Sequence, residues 1–320
     1  MNRYIQSFTK ADLAQYLSPR DGEVRCGEMV DGSHRQAAFT DSSATYVILG
    51  VPEDIGVQAN YGMPGAKAAY EAFLKAFLNL QHNQFLASEQ VFIAGQLLVE
   101  DLYAGLNTED IQALRKQTER LDQRLIAVLS EIYQAGKTPI LIGGGHNNAY
   151  ANIKALSGHF QEAVKVLNID AHTDLRLREG RHSGNGFTYA FKEKALDKYA
   201  VLGLNKYYTP QYIYDYLEKH KKHFFYRNLE TKLSDSDLSE ALSFLGKGFG
   251  LEIDLDVIAD FPTSAQHPAG MPFSTLRHII YKAQKQQPAY LHLCEAIADV
   301  DDASNRVGKA LATLVADFIG

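Results

Sequence analysis

The feature that most constrains this chain is a series of eight short, nearly continuous apolar runs: "YVILGVP" (46–52), "VFIAG" (91–95), "TPILIGGG" (138–145), "VKVLNIDAH" (164–172), "YAVLGL" (199–204), "HFFYRN" (223–228), "FGLEIDLDVI" (249–258) and "AYLHLCEA" (289–296). Runs of this length read as strands, and their lack of strict alternation means that both faces are buried. Amphipathic stretches lie between them: 110–135, with Thr108 expected as its N-cap and Gly136 as its stop, then 211–220, 237–245, 274–285 and 306–318. Apolar strands joined by helices predict an α/β fold with a mostly parallel sheet of about eight strands, covered on both faces. With 320 residues, 46% of them hydrophobic, the chain can bury such a core in one domain. No repeat or proline-rich linker marks a boundary. Residues 1–320 are therefore expected to form a single domain, with the more polar residues 1–40 as an irregular, surface-wrapping lead-in.

Charge and cysteine usage narrow the function classes. A net charge of −6 leaves no electrostatic footprint for nucleic acid or an anionic membrane. Cys26 and Cys294 are too few for a disulfide framework and fit a reducing compartment. The N-terminal stretch has no continuous apolar segment, and nowhere do eighteen apolar residues run together, so a cytoplasmic location is expected.

In parallel sheets functional groups gather beyond the carboxyl ends of the strands, and the chemically loaded residues here obey that rule. "LIGGGH" delivers His146 after three glycines, "NIDAHTD" carries Asp170, His172 and Asp174, "EIDLD" carries Asp254 and Asp256, and "LHLCEA" ends on Glu295. Taken singly, each has an ordinary reading: His146 as a turn residue, the acids as solvated strand ends, His292 and Cys294 as core packing. Their conjunction points elsewhere. Residues two apart in a strand point to the same side about 6 to 7 Å apart, so Asp170 with His172, and Asp254 with Asp256, can each reach adjacent metals. Asp174 joins them only if the chain turns after His172. Four carboxylates and two imidazoles form a hard donor set that suits Mn²⁺, with Zn²⁺, Fe²⁺ and Co²⁺ also compatible. Two divalent ions would cancel the four negative charges.

"GGGH", "DAHTD" and "EIDLD" resemble the three signature segments of the ureohydrolase superfamily, the arginase, agmatinase and formimidoylglutamase group. The resemblance extends to "VILGVPEDIGVQANYGMPGA" (47–66), "DLDVIADFPTSAQHPAGMPF" and "LHLCEAIAD", and so to nearly the whole chain. It implies a three-layer α/β/α sandwich holding two Mn²⁺, one bound by His146, Asp170, Asp174 and Asp254, the other by Asp170, His172, Asp254 and Asp256. It also implies hydrolysis of a C–N bond in a linear amidine or guanidine, and a homo-oligomer, trimeric or hexameric. Glu295 is a candidate acceptor for the cationic amidinium, and Asp174 or Asp256 for relaying a proton to the leaving amine.

Within the superfamily the chain is most similar to the formimidoylglutamases. Phe187 stands where arginases carry a histidine after "SGN", and Arg176 in "DAHTDLR" matches an arginine available for a substrate carboxylate. Ser183 and Asn185 are expected to assist it, whereas Met63 stands where the family more often has a second arginine. An arginase- or agmatinase-like enzyme releasing urea, or a non-catalytic metal-binding protein, remain the alternatives.

Overall fold

All eight apolar runs form strands, and two shorter strands join them. In chain order they are β1 (Ile5–Ser7), β2 (Asp31–Gly32), β3 (Tyr46–Gly50), β4 (Val91–Leu97), β5 (Thr138–Ile142), β6 (Val164–Ile169), β7 (Leu196–Leu204), β8 (Phe224–Asn228), β9 (Gly250–Asp254) and β10 (Tyr290–Cys294). The structure, a computed structural model, describes residues 2–32, 39–230 and 232–320; residues 1 and 33–38 of the expected lead-in lie outside the described residues. The ten strands make one sheet in the order β1-β4-β3-β5-β10-β9-β6-β7-β8, with β2 also against β4. Every pairing is parallel except that of β1 with β4.

Successive side chains of each strand enter opposite cores, which makes the molecule three-layered. Ile48, Ile140, Leu167 and Leu251 pack toward helices Ala69–Phe77, Asp235–Leu245, Phe273–Gln284 and Arg306–Ile319. Val47, Leu49, Leu141 and Val166 pack toward helices Ile111–Gln134, Asn148–Phe160 and Gln211–Lys219. This is the covered parallel sheet that the unbroken apolar runs require.

The lead-in is more regular than its composition suggests. Besides β1 and β2 it forms helices Lys10–Ala14 and Cys26–Met29, and it buries Leu13, Cys26 and Val30 in the core. The N-cap of the long helix is Asp110 rather than Thr108: its carboxylate accepts from the backbone N–H groups of Gln112 and Ala113, each at 3.0 Å. An ionised cap is also the better partner for the positive end of the helix. Gly136 takes up φ 70° just beyond the helix end, the backbone conformation that stops it. Among the described residues no helix is long and apolar enough to cross a membrane.

Close packing at the end of β3 gives a direct test. A Cβ on Gly50 would fall 2.1 Å from Cδ1 and 2.3 Å from Cγ of Tyr70, a fully buried ring. Gly50→Ala should destabilise the fold by about 1–3 kcal/mol. Urea unfolding checks this, and an unchanged midpoint would mean that the Tyr70 ring is free to move aside.

Candidate metal centre

The sheet order assembles what the sequence scatters. β5, β10, β9 and β6 are neighbours at the middle of the sheet, and their carboxyl ends carry His146, Glu295, the Asp254–Asp256 pair and the Asp170–Asp174 segment. Gly143 and Gly144, at φ 89° and 74°, turn the chain sharply after β5. A Cβ on Gly144 would meet the Asn148 amide at 2.3 Å and Glu53 at 2.8 Å, so the approach itself demands glycine. Glu53, just beyond β3 and wholly buried, clamps this turn. Its Oε1 accepts from Gly145 N at 2.8 Å and the side-chain amides of Asn148 and Asn147 at 2.8 and 3.2 Å, while Oε2 accepts from Ile55 N at 2.8 Å and Gly56 N at 3.2 Å.

His146 follows, with Nδ1 lying 2.9 Å from Asp174 Oδ2, 3.2 Å from Asp170 Oδ2 and 3.4 Å from Asp254 Oδ2. A second group sits beside it, with His172 Nδ1 2.8 Å from Asp256 Oδ2 and 3.7 Å from Asp170 Oδ1. Asp170 thus presents one oxygen to each group. Asp254 turns Oδ2 to the first group, and its Oδ1 accepts from the Asp256 N–H at 2.9 Å. The strand stops at Ile169, and Asp174 folds back through a left-handed backbone at φ 47°. Glu295 is also left-handed, at φ 65°, with Oε1 accepting from His146 N at 2.8 Å. Such conformations persist in non-glycine residues where the surroundings over-determine them, and they cluster at functional sites.

The electrostatics are those of a buried cluster of carboxylates and imidazoles, in which the two imidazoles are raised and Asp170 between them is lowered. Burial, then the charges of Asp256 and Asp170, push the Asp254 carboxyl well above the usual range. Burial and Asp170 likewise raise Asp174. Glu295 is pushed up to about 8, burial outweighing its bond from the His146 N–H. Neither buried ring nitrogen of His146 makes a well-aligned hydrogen bond to the carboxylates that surround it. Two groups of N and O donors lie with their ligand atoms within 4.8 Å of one another, His146–Asp170–Asp174–Asp254 and Asp170–His172–Asp256. Buried carboxylates and imidazole nitrogens are what divalent cations bind. The residues present therefore fit two such ions.

A cleft of about 490 Å³ opens over these groups. Asp174, Asp254, Asp256 and Glu295 form its floor, and Arg176, Ser183, Asn60, Tyr208 and Tyr212 stand on its walls. Arg176 is half-exposed, its guanidinium 3.6 Å from Glu179. Ser183 Oγ accepts from the Asn60 amide at 3.2 Å. Asn185, expected beside them, does not reach the cleft. It is fully buried, and both ends of its side chain are used inside the loop: Oδ1 accepts from Arg181 and His182 N, and Nδ2 donates to Leu177 O and Gly180 O.

A model of the arginase family matches residues 44–320. The chain belongs to the arginase family. It is 30% identical to the formimidoylglutamase of Hahella chejuensis, over 90% of this chain and 90% of that protein. Its fold matches the Trypanosoma cruzi formiminoglutamase solved with Mn²⁺ at a TM-score of 0.75 and 20% identity, covering 93% of this chain and 97% of the other. The formimidoylglutamase of Bacillus subtilis gives the same TM-score at 18% identity, with 95% and 93% covered. The three-layer arginase-like fold that the motifs imply is the fold observed.

Several residues of this arginase-family site escaped the sequence reading. Glu53 and Asn60 lie within residues 47–66, and the local signal for Glu53 is an acid placed just after an apolar strand. His292 is buried as expected of a packing residue, yet its Nδ1 lies 2.6 Å from Glu252 Oε2, and Tyr290 donates to the other oxygen at 2.8 Å. Glu252 in turn stands 3.6 Å from His146 Nε2. Phe187 packs its ring edge-on to His146 at 5.3 Å, away from the cleft wall.

Because Asp170 serves both groups, Asp170→Ala should abolish binding of both divalent ions, whereas His172→Ala should retain about one of two, the two-ion stoichiometry being that of dinuclear sites. Metal analysis of the cation-saturated variants decides this, and equal retention in the two variants would refute the bridging assignment of Asp170.

Proposed function

We propose that this chain is a dinuclear manganese hydrolase that converts N-formimidoyl-L-glutamate and water to L-glutamate and formamide. The observation that carries the reading is one guanidinium, Arg176, on the wall of a cleft that His172, Asp174, Asp254 and Asp256 of the six-residue candidate cation site line. Supporting it, the Hahella chejuensis relative bears the name formimidoylglutamase, and the Trypanosoma cruzi relative was solved with Mn²⁺. The small-molecule amidine is the partner this cleft accommodates. The setting we infer is a cytoplasmic homo-oligomer, trimeric or hexameric, whose sedimentation should exceed that of a 35.6 kDa monomer.

The roles follow from the chemistry. His146, Asp170, Asp174 and Asp254 would hold one cation, and Asp170, His172 and Asp256 the other, with Asp254 able to share both. When bound, two such cations supply the Lewis acidity that makes a hydroxide nucleophile available at neutral pH. Glu295 projects from the end of β10 and accepts paired N–H bonds from the amidinium, which orients the planar carbon over the floor. Attack forms a C–O bond; the C–N bond to glutamate then breaks, and the departing nitrogen takes up a proton. Asp174 and Asp256 line the floor where that proton must pass. Arg176 pairs with a substrate carboxylate, and Ser183 supports the second.

The manganese-loaded protein should hydrolyse formimidoylglutamate in preference to arginine, agmatine and guanidinobutyrate. Faster release of urea from any of the three would overturn the assignment. A charged hydrogen bond contributes about 1.5–3 kcal/mol, so Arg176→Ala should lower kcat/KM roughly ten- to a hundredfold, mainly through KM. Metal content should not change. A parallel loss of metal would instead make Arg176 a support of the site.

A further inference from the structure

The loop that carries Arg176 and Ser183 to the cleft is held from behind by a second arginine, Arg181, which has no place in the chemistry described above. Arg181 is 2% exposed, and all five of its N–H donors are matched. Nε donates to Asp122 Oδ2 at 2.8 Å and Nη2 to Asp122 Oδ1 at 3.3 Å. Nη2 also donates to Asn147 O at 2.8 Å, one residue beyond His146. Nη1 donates to Asn185 Oδ1 at 2.7 Å and His182 O at 3.3 Å. The rings of Tyr150 and Tyr189 lie 4.7 and 5.1 Å from the guanidinium carbon.

We infer that Arg181, paired with Asp122, is a positioning residue that sets substrate selection by fixing the 174–186 loop; the inference rests on the carboxylate-binding role of Arg176 proposed above. Three elements meet at this one guanidinium: the long helix Ile111–Gln134 through Asp122, the turn after β5 through Asn147, and the rim loop through Asn185. Asn185 passes the constraint on, donating to Leu177 O at 3.2 Å and Gly180 O at 2.8 Å, and Arg176 N donates to Gly184 O at 3.0 Å. The same helix supplies a second anchor. Arg115, two helical turns before Asp122 and so on the same face, donates to Glu179 O at 2.6 Å, and Glu179 is the carboxylate that faces Arg176.

A buried ion pair is a poor source of stability, because desolvating two charges offsets most of their attraction and apolar residues of similar size would fold as well. What an apolar pair cannot do is register three backbone segments against each other. Arg181 makes no hydrogen bond to the six candidate ligands or to any group on the cleft floor. Its effect therefore reaches the substrate through the loop or, by way of Asn147, through the turn that delivers His146, and the count of bound ions separates the two routes.

Arg181→Lys keeps a charge for Asp122 but lacks the fork that reaches Asn147 and Asn185 together. In the manganese-loaded protein it should raise KM for formimidoylglutamate about tenfold, the equivalent of one to two hydrogen bonds, with kcat within about twofold and two ions still bound. Amide hydrogen exchange over 174–186 should be about tenfold faster than in wild type, with core strands unchanged. This readout stands even if wild type fails to hydrolyse formimidoylglutamate, a result that would overturn the substrate assignment alone. The double variant Arg181→Met, Asp122→Leu removes the charge burden and guards against misfolding; it should regain the unfolding midpoint without regaining KM or loop protection. Unchanged loop exchange in both variants, or restoration of KM together with stability in the double variant, would overturn the inference.

Discussion

Mutual repulsion among buried carboxylates governs this molecule. Asp170, Asp174, Asp254 and Asp256 converge at the ends of β6 and β9, at the centre of the sheet, where burial and mutual charge drive Asp174 and Asp254 above the normal carboxylate range. Such a cluster persists only with protons or cations bound to it. Two imidazoles aimed into it, with no well-aligned hydrogen bond at either ring nitrogen of His146, make cations the better partner. Around this constraint the surrounding polar groups have intelligible roles. Glu53 locks the glycine turn that delivers His146, the Glu252–His292 pair backs its far side, and Glu295 ties its backbone.

The layers behind the site differ from its floor in kind. The acids on the floor line the cleft, whereas Glu53, Asp122 and Arg181 behind it spend their polar atoms on other protein groups, so they hold position without competing for a cation or substrate. Helix Ile111–Gln134 illustrates the division. One face packs Leu121, Leu125 and Leu129 into the core, while Arg115 and Asp122 reach out from it to the rim loop. A scaffold element thereby sets the geometry of recognition.

Fold and floor were legible in the sequence because both depend on local pattern. Nearly continuous apolar runs of five to ten residues name the strands, and acids or histidines at their carboxyl ends name the site. The rest depends on neighbours far along the chain. β1 and β2, three and two residues long, carry no periodicity to read. Asn185 reads as a substrate-binding residue because it follows Arg176 and Ser183 in the rim segment, yet its partners are Arg181, the His182 N–H and loop carbonyls. Arg181 itself is indistinguishable from its neighbours Arg176 and Arg178 until Asp122, fifty-nine residues away, is placed beside it.

The most direct test of the account is anomalous X-ray diffraction from manganese-soaked crystals. Two peaks about 3.5–4 Å apart are expected, as in other two-metal sites, one beside His146 and Asp174 and one beside His172 and Asp256, with Asp170 between them. A single peak, or manganese bound away from these residues, would contradict the two-cation reading on which the proposed chemistry stands.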